Sequence, residues 1–299
     1  MSIHHAALEW QLLPAAGAGL LAIDGELLAL ATLDRLQVWQ GDSAWPAVAS
    51  ASRQPGWPRI TPSHVCWGNS RIERHRVGAG AQRIDIGAGL PDSTPGAWVP
   101  RAFAWNPAGD MLLVSVLLTG PQPHARSLLL GAGGQVLAAL ADGQAVADSA
   151  GLGERLAILG HARASVHDWQ GRLLQRLDNP TPALRLDLSA GDARLLIVEY
   201  GRLTLIGCAD WQLLARWSGR WIDAALDADG ERVWAVDTDG RLAALDPAQP
   251  DAAPQLIDTL APVQGLAVGV GVGVGVGDQR IAVVHSNGLA PAWAALPPV

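Results

Sequence analysis

The chain has 299 residues, of which 49% are hydrophobic and 16% charged, below the roughly 25% charged of an average soluble protein. Its cationic side chains are 21 arginines and no lysine, against 28 acids. The net charge of −7 argues against nucleic acid and anionic membrane as partners, and the missing lysine excludes a Schiff base and a P-loop. Two cysteines, Cys66 and Cys208, exclude a disulfide framework and a thiolate zinc site.

The N-terminal MSIHHAALEW lacks the basic segment and apolar run of a secretory signal. No uncharged apolar stretch reaches about 18 residues, so a cytoplasmic protein is expected. AALEWQLL (6–13) then reads as a lone strand. From there on the apolar runs are short, often alternate, and stop at Gly, Asp, Asn or Pro, which is a strand pattern without amphipathic helices.

The runs repeat. The first unit, 16–50, has a Gly-acid turn in GELLAL from Gly25 and an arginine, Arg35, opening the next run, RLQVW. A Pro-rich segment with Trp45 and Trp57 leads into 57–88, where SHVCWGNSRIERHRV sets Arg71 at the arginine position without a Gly-acid turn. After Trp98 in LPDSTPGAW, unit 99–141 has GDMLLV from Gly109, a longer loop, LLTGPQPHA, and then Arg126 in RSLLL. Unit 143–178 has GERLAI from Gly153 and Arg163 in RASVHDW; 182–218 has GDARLL from Gly191 and Arg202 in RLTLI; 220–258 has GERVWA from Gly230 and Arg241 in RLAALD. The last, 262–299, has GDQRIA from Gly277 and Leu289 in LAPAW instead of an arginine. Seven units of about 42 residues fit the blade length of a propeller, each blade being four antiparallel strands. The seventh ends one strand short, which 6–13 would supply, closing a single seven-bladed β-propeller over 1–299.

The run VGVGVGVGVG (268–277) leads into the seventh Gly-acid turn. From Gly230 to Gly277 is 47 residues, against 39 from Gly191 to Gly230, so about eight residues are inserted, read as a lengthened hairpin tip. Its glycines all fall on odd positions, and G-x-G-x-x-G needs a change of parity that a strict period of two cannot give.

Two stretches resemble a bacterial WD-repeat-like propeller: AFAWNPAGDMLLVS (102–115) and DADGERVWAVDTDGRLAALD (227–246). Trp39, Trp169 and Trp293 fall at or near the tryptophan position of the third strand, although no unit ends in Trp-Asp and the Gly-His pair is missing. The resemblance implies an interaction scaffold rather than a reaction. It extends to the propeller members of bacterial systems that pair a MoxR-type ATPase with a von Willebrand A protein, so the partners implied are proteins, one source being an ATPase-associated complex.

No chemical motif stands out. His161 and His167 are six apart on one strand, beyond the reach of a shared metal, and DADG (227–230) and DTDG (237–240) read as turns lacking the ligands of a calcium loop. No cofactor is expected. The alternative to a scaffold is a lactonase-like hydrolase with a metal in the central channel, using inner-strand acids such as Asp187 and Asp223.

Charge gives the candidate binding face. Turns before the second strand carry Glu26, Asp110, Glu154, Asp192, Glu231 and Asp278; turns after it carry Arg35, Arg71, Arg126, Arg163, Arg202 and Arg241. Those turns lie at opposite ends of a strand. A ring would then show carboxylates on one face and guanidiniums on the other, either as solubilising strand ends or as a face for an acidic partner. Trp45, Trp57 and Trp98 are the candidate exposed anchors. Trp10, Trp39, Trp105, Trp169, Trp211, Trp217, Trp234 and Trp293 are expected in strands between blades.

Overall fold

Short runs rich in Leu, Val and Ala, cut by Gly and Asp, suit a pleated surface and leave no room for a helical face. The computed structural model describes strand backbone from Gln11 to Ala295 and, within 102–260, most turns and side chains; among the described residues there is no helix. The chain is all-β, built of antiparallel sheets that are mostly four-stranded.

A short β1 (Gln11–Leu12) comes first. Then β2 (Leu20–Asp24), β3 (Leu27–Ala31) and β4 (Arg35–Gln40) form a sheet in which β5 (Ser43–Ala44) and β6 (Val48–Ala49) pair with opposite ends of β4. The next sheet is β7 (Arg59–Thr61), β8 (His64–Trp67), β9 (Ile72–Arg76) and β10 (Ala81–Ile84). It is followed by β11 (Trp98–Trp105), β12 (Met111–Leu118), β13 (Ala125–Gly131) and β14 (Val136–Asp142), and by β15 (Asp148–Ala150), β16 (Arg155–Leu159), β17 (Arg163–Asp168) and β18 (Leu173–Asp178). Then come β19 (Ala183–Leu188), β20 (Arg194–Glu199), β21 (Arg202–Gly207) and β22 (Leu213–Ser218), and β23 (Trp221–Leu226), β24 (Val233–Asp237), β25 (Arg241–Leu245) and β26 (Gln255–Thr259). Finally β27 (Val263–Val270), β28 (Gln279–His285) and β29 (Ala292–Ala295) take β1 as their outer strand, with Gln11 opposite Trp293 and Leu12 opposite Ala292.

Both faces of the middle strands are covered. On β16, Leu156 and Ile158 pack against Ala102, Ala104, Leu113 and Leu129 of the preceding sheet. Ala157 and Leu159 turn the other way, onto Leu186, Leu188, Leu195 and Ile197 of the next. The same alternation continues where Leu196, Val198, Leu203 and Trp217 meet Trp221, Val233, Ala235 and Leu245. Period-two side chains thus give the sheet of β15–β18 two apolar faces, and its neighbours on either side bury both. Each fully buried leucine contributes about 1.5–3 kcal/mol.

The registers carry a repeated irregularity absent from the sequence reading. On the first strand of four sheets the pairing skips one residue near its start: Arg101, Leu184, Ile222 and Gln264. On the outer strand further skips fall at Leu137 and Leu140 of β14 and at Leu174, Leu214 and Ile257. Such bulges raise local twist, which lets flat ladders become strongly twisted units.

Several expectations shift. Trp98 opens β11 opposite Leu118 instead of sitting in a loop. Trp169 and Trp211 follow β17 and β21 in turns and are not strand residues. Trp169 is nonetheless buried, its Nε1 donating to the Gly153 carbonyl at 2.7 Å. Trp211 adopts φ 60° beneath Arg155, whose guanidinium carbon lies 5.7 Å from the ring centre. In the Val-Gly run, Val268–Val270 complete β27 and Val270 pairs with Gln279; 271–278 lie outside the described residues.

Candidate interaction face

In an antiparallel four-stranded sheet the second-to-third turn and the link to the next sheet share one end, and the other two turns share the opposite end. The arginine positions lie at the first of these. Arg163, Arg202 and Arg241 open β17, β21 and β25, Arg35 opens β4, and Arg126 is the second residue of β13. Arg71, Trp45 and Trp57 lie outside the described residues, and for Arg35 and Trp98 only the backbone is described.

Arg202 and Arg241 are bound into their own hairpins. In Asp237-Thr238-Asp239-Gly240-Arg241, Asp237 Oδ1 accepts the N–H of Asp239 and of Arg241, both at 2.9 Å, while Oδ2 accepts Arg241 Nε at 2.8 Å. Gly240 supplies φ 79°, which a residue with a Cβ adopts only with strain. A shorter version is Glu199-Tyr200-Gly201-Arg202. Glu199 is 2% exposed, and Arg202 meets both its oxygens in a fork through Nε and a terminal nitrogen, with Thr204 Oγ1 donating at 3.2 Å. A carboxylate this buried needs such pairing, and the hydrogen bonds from Arg202 hold that guanidinium above its ordinary pKa. By contrast Arg163 and Asp178, 3.3 Å apart, are both well exposed, so their attraction is screened. Arg220, on the link between β22 and β23, reaches Asp239 at 3.0 Å.

Two residues that the sequence reading passed over protrude here. Tyr200 is 76% exposed at the tip of its hairpin. Leu184, 49% exposed, is the bulged residue beside Ala183, which pairs with Glu199. Tyrosine and arginine are the side chains that anchor protein interfaces most often. A signal was legible: an acid three or four residues before an arginine, with glycine between, as in EYGR, DTDGR and DWQGR (168–172).

The expected division of charge between the two ends is not kept. The arginine end also holds Asp178, Glu199, Asp237 and Asp239. The acid-turn end holds Arg155 and Arg194, which reach across to the next sheet. Arg155 donates to the Cys208 carbonyl at 2.8 Å; Arg194 bonds the Gly230 carbonyl and, at 2.8 Å, Glu231. Arg172 at that end pairs with Asp168 at 3.0 Å. In β16 and β20 the second strand opens with arginine after its acid turn, and this local sequence mixes the charges.

The inner-strand acids act as struts between sheets. Asp223 accepts Arg185 through both oxygens, at 3.1 and 3.0 Å, and Asp187 Oδ2 accepts the Leu226 N–H at 2.8 Å. His167 is 4% exposed, with Nε2 3.1 Å from Ser165 Oγ, and burial lowers its pKa; His161 lies outside the described residues. No group of three metal-ligating side chains is found among the described residues. Among them, too, no helix is long and apolar enough to cross a membrane.

No protein-family model matches the chain, and a search of the curated proteins returns no match.

Proposed function

We propose that the chain is a seven-bladed, WD-repeat-like propeller closed through its N-terminal strand, and that it serves as a non-enzymatic interaction scaffold in the cytoplasm. Support for the ring comes from the order in which first strands neighbour one another: β7 with β11, β11 with β15, β15 with β19, β19 with β23, β23 with β27, and β2 with both β7 and β27. Assigning β1 to the sheet of β27–β29 agrees with the same reading.

The observation that carries the scaffold reading is the make-up of the arginine end. Exposed Tyr200 and Leu184 stand among hairpins stiffened by carboxylate–arginine forks, so anchors sit on a surface that loses little freedom on binding. The hydrolase alternative needs free inner-strand carboxylates, and Asp187 and Asp223 are engaged by the neighbouring sheet. A protein partner, drawn on the resemblance from an ATPase-associated complex, fits this face best. The test is a pull-down with wild type and with Tyr200→Ala combined with Arg163→Glu. These side chains are exposed, so folding is expected to be unchanged by circular dichroism. Partners should be lost from the variant; an identical bound set would refute the assignment of this face.

A further inference from the structure

Between the link 219–221 and the last two strands of its sheet lies a cavity of about 440 Å³. Trp221, Ala243, Pro254 and Leu256 form its apolar walls, and Arg220 and Arg241 stand beside them. Its size falls within the range of pockets that hold ligands. The polar groups there are unevenly committed. Every carboxylate oxygen of Asp237 and Asp239 already receives a donor: the Asp239 and Arg241 N–H groups and Arg241 Nε on Asp237, and Arg220 and Arg241 guanidinium nitrogens on Asp239. The donors are in surplus. Arg220 and Arg241, 67% and 53% exposed at the side chain, commit only part of their N–H forks. An occupant must therefore bring an apolar body and acceptor oxygens.

The cavity wall is also tied to the exposed anchor. Gly219 N–H donates to the Gly201 carbonyl at 3.0 Å, and Gly201 N–H donates to the Trp221 carbonyl at 3.4 Å, so the Tyr200 hairpin and the wall form one piece. We infer that the cavity takes a large apolar side chain of a partner peptide, flanked by a glutamate or aspartate whose carboxylate bonds Arg220 and Arg241. The inference rests on the scaffold reading above and names the chemistry of the partner at that end of the molecule.

The test uses fluorescence polarisation on the full chain with labelled Gly/Ser octapeptides carrying a central Leu or Phe between two glutamates. Controls replace the glutamates by lysine, or the apolar residue by alanine. The acidic–apolar peptides should bind about tenfold tighter than either control, and Leu256→Glu and Arg220→Glu should each weaken them by about tenfold. Arg172→Gln, an exposed position at the opposite end of the sheet of β15–β18, should change nothing. If Leu256→Glu does not fold, Pro254→Glu at an exposed wall position serves in its place. Equal binding of the lysine peptides overturns the inference, as does a preference that survives both the wall and the Arg220 variants. So does binding of free 4-phenylbutyrate without any binding of peptide. Partner capture that depends on Tyr200 and Arg163, with no peptide binding here, would defeat this inference alone and leave the scaffold reading standing.

Discussion

In three of the described sheets a side chain at the first hairpin turn faces the turn's own N–H groups. Asn106 Oδ1 accepts the N–H of Asp110 and Met111, at 3.0 and 2.9 Å, while its Nδ2 donates to Asp110 Oδ1 at 2.6 Å. Ser189 Oγ does part of this by accepting the Arg194 N–H at 3.1 Å. The matching residue one sheet on is Asp227, 2% exposed, whose Oδ1 has no partner among the described residues. Burial pushes the Asp227 carboxyl above its usual pKa, against the pull of the Arg232, Glu231 and Gly230 N–H groups. A raised carboxylate pKa means that ionised Asp227 costs stability at neutral pH, a cost relieved as pH falls through the folded pKa toward the unfolded value of 3.8. Asp227→Asn keeps the acceptor, removes the charge and supplies an Nδ2 placed as in Asn106. It should stabilise the fold by about 1 kcal/mol, or about 2 °C in Tm, at pH 7. In urea unfolding at a series of pH values that gain should shrink on acidification. A variant less stable than wild type at pH 7 would show that the negative charge itself holds the turn.

At the scale of strands, the legible and the hidden parts separate cleanly. Glycine followed by an acid marked the turn before the second strand because Gly109 and Gly230 need positive φ, 69° and 73°, and an arginine marked the third strand because Arg163, Arg202 and Arg241 open β17, β21 and β25. Those signals are local and survive in a single sequence. The bulges at Leu184 and Ile222 were not legible, because the one-residue shift they put into the period-two alternation spans too few residues to stand out in a six-residue strand. Pairings between sheets were equally invisible: Arg185 and Asp223 are far apart in sequence, and only the packing of β19 against β23 makes them partners. That pair is mostly buried, with side chains 18% and 8% exposed, and Asp223 Oδ1 also accepts the Ala224 N–H at 2.8 Å. Arg185→Met should cost about 3 kcal/mol by leaving a buried carboxylate without its guanidinium, whereas Arg185→Met with Asp223→Asn should recover at least ~1 kcal/mol of it. Chemical denaturation of the four proteins of the cycle gives the coupling, and a value near zero would mean that the strut contributes nothing. The candidate face was half visible for a related reason. Its arginines, and the acids three or four residues before them, could be read from spacing, but that they pair, and that Tyr200 is exposed, depends on how each hairpin closes.

For the whole molecule the decisive question is what the N-terminal strand does beyond adding two residue pairs to β29. Those pairings, Gln11 with Trp293 and Leu12 with Ala292, would stabilise little as an isolated edge. In the proposed ring their effect reaches further, because β27 lies against β2 and the last sheet then supports the first. Deleting residues 1–13 leaves β29 as a bare edge and loosens the sheet of β27–β29. If the sheets form an open row, amide exchange should rise only in 263–295, since nothing else leans on that sheet. In a closed ring the loss should spread across the seam, raising exchange at β2 and β3 (20–31) by about tenfold as well, while 183–226 on the far side stays protected. Hydrogen–deuterium exchange with peptide resolution distinguishes the two outcomes. Unchanged protection at 20–31 in the truncated chain would remove the seam, and with it the argument that seven two-faced sheets bury their apolar surfaces by packing in a circle.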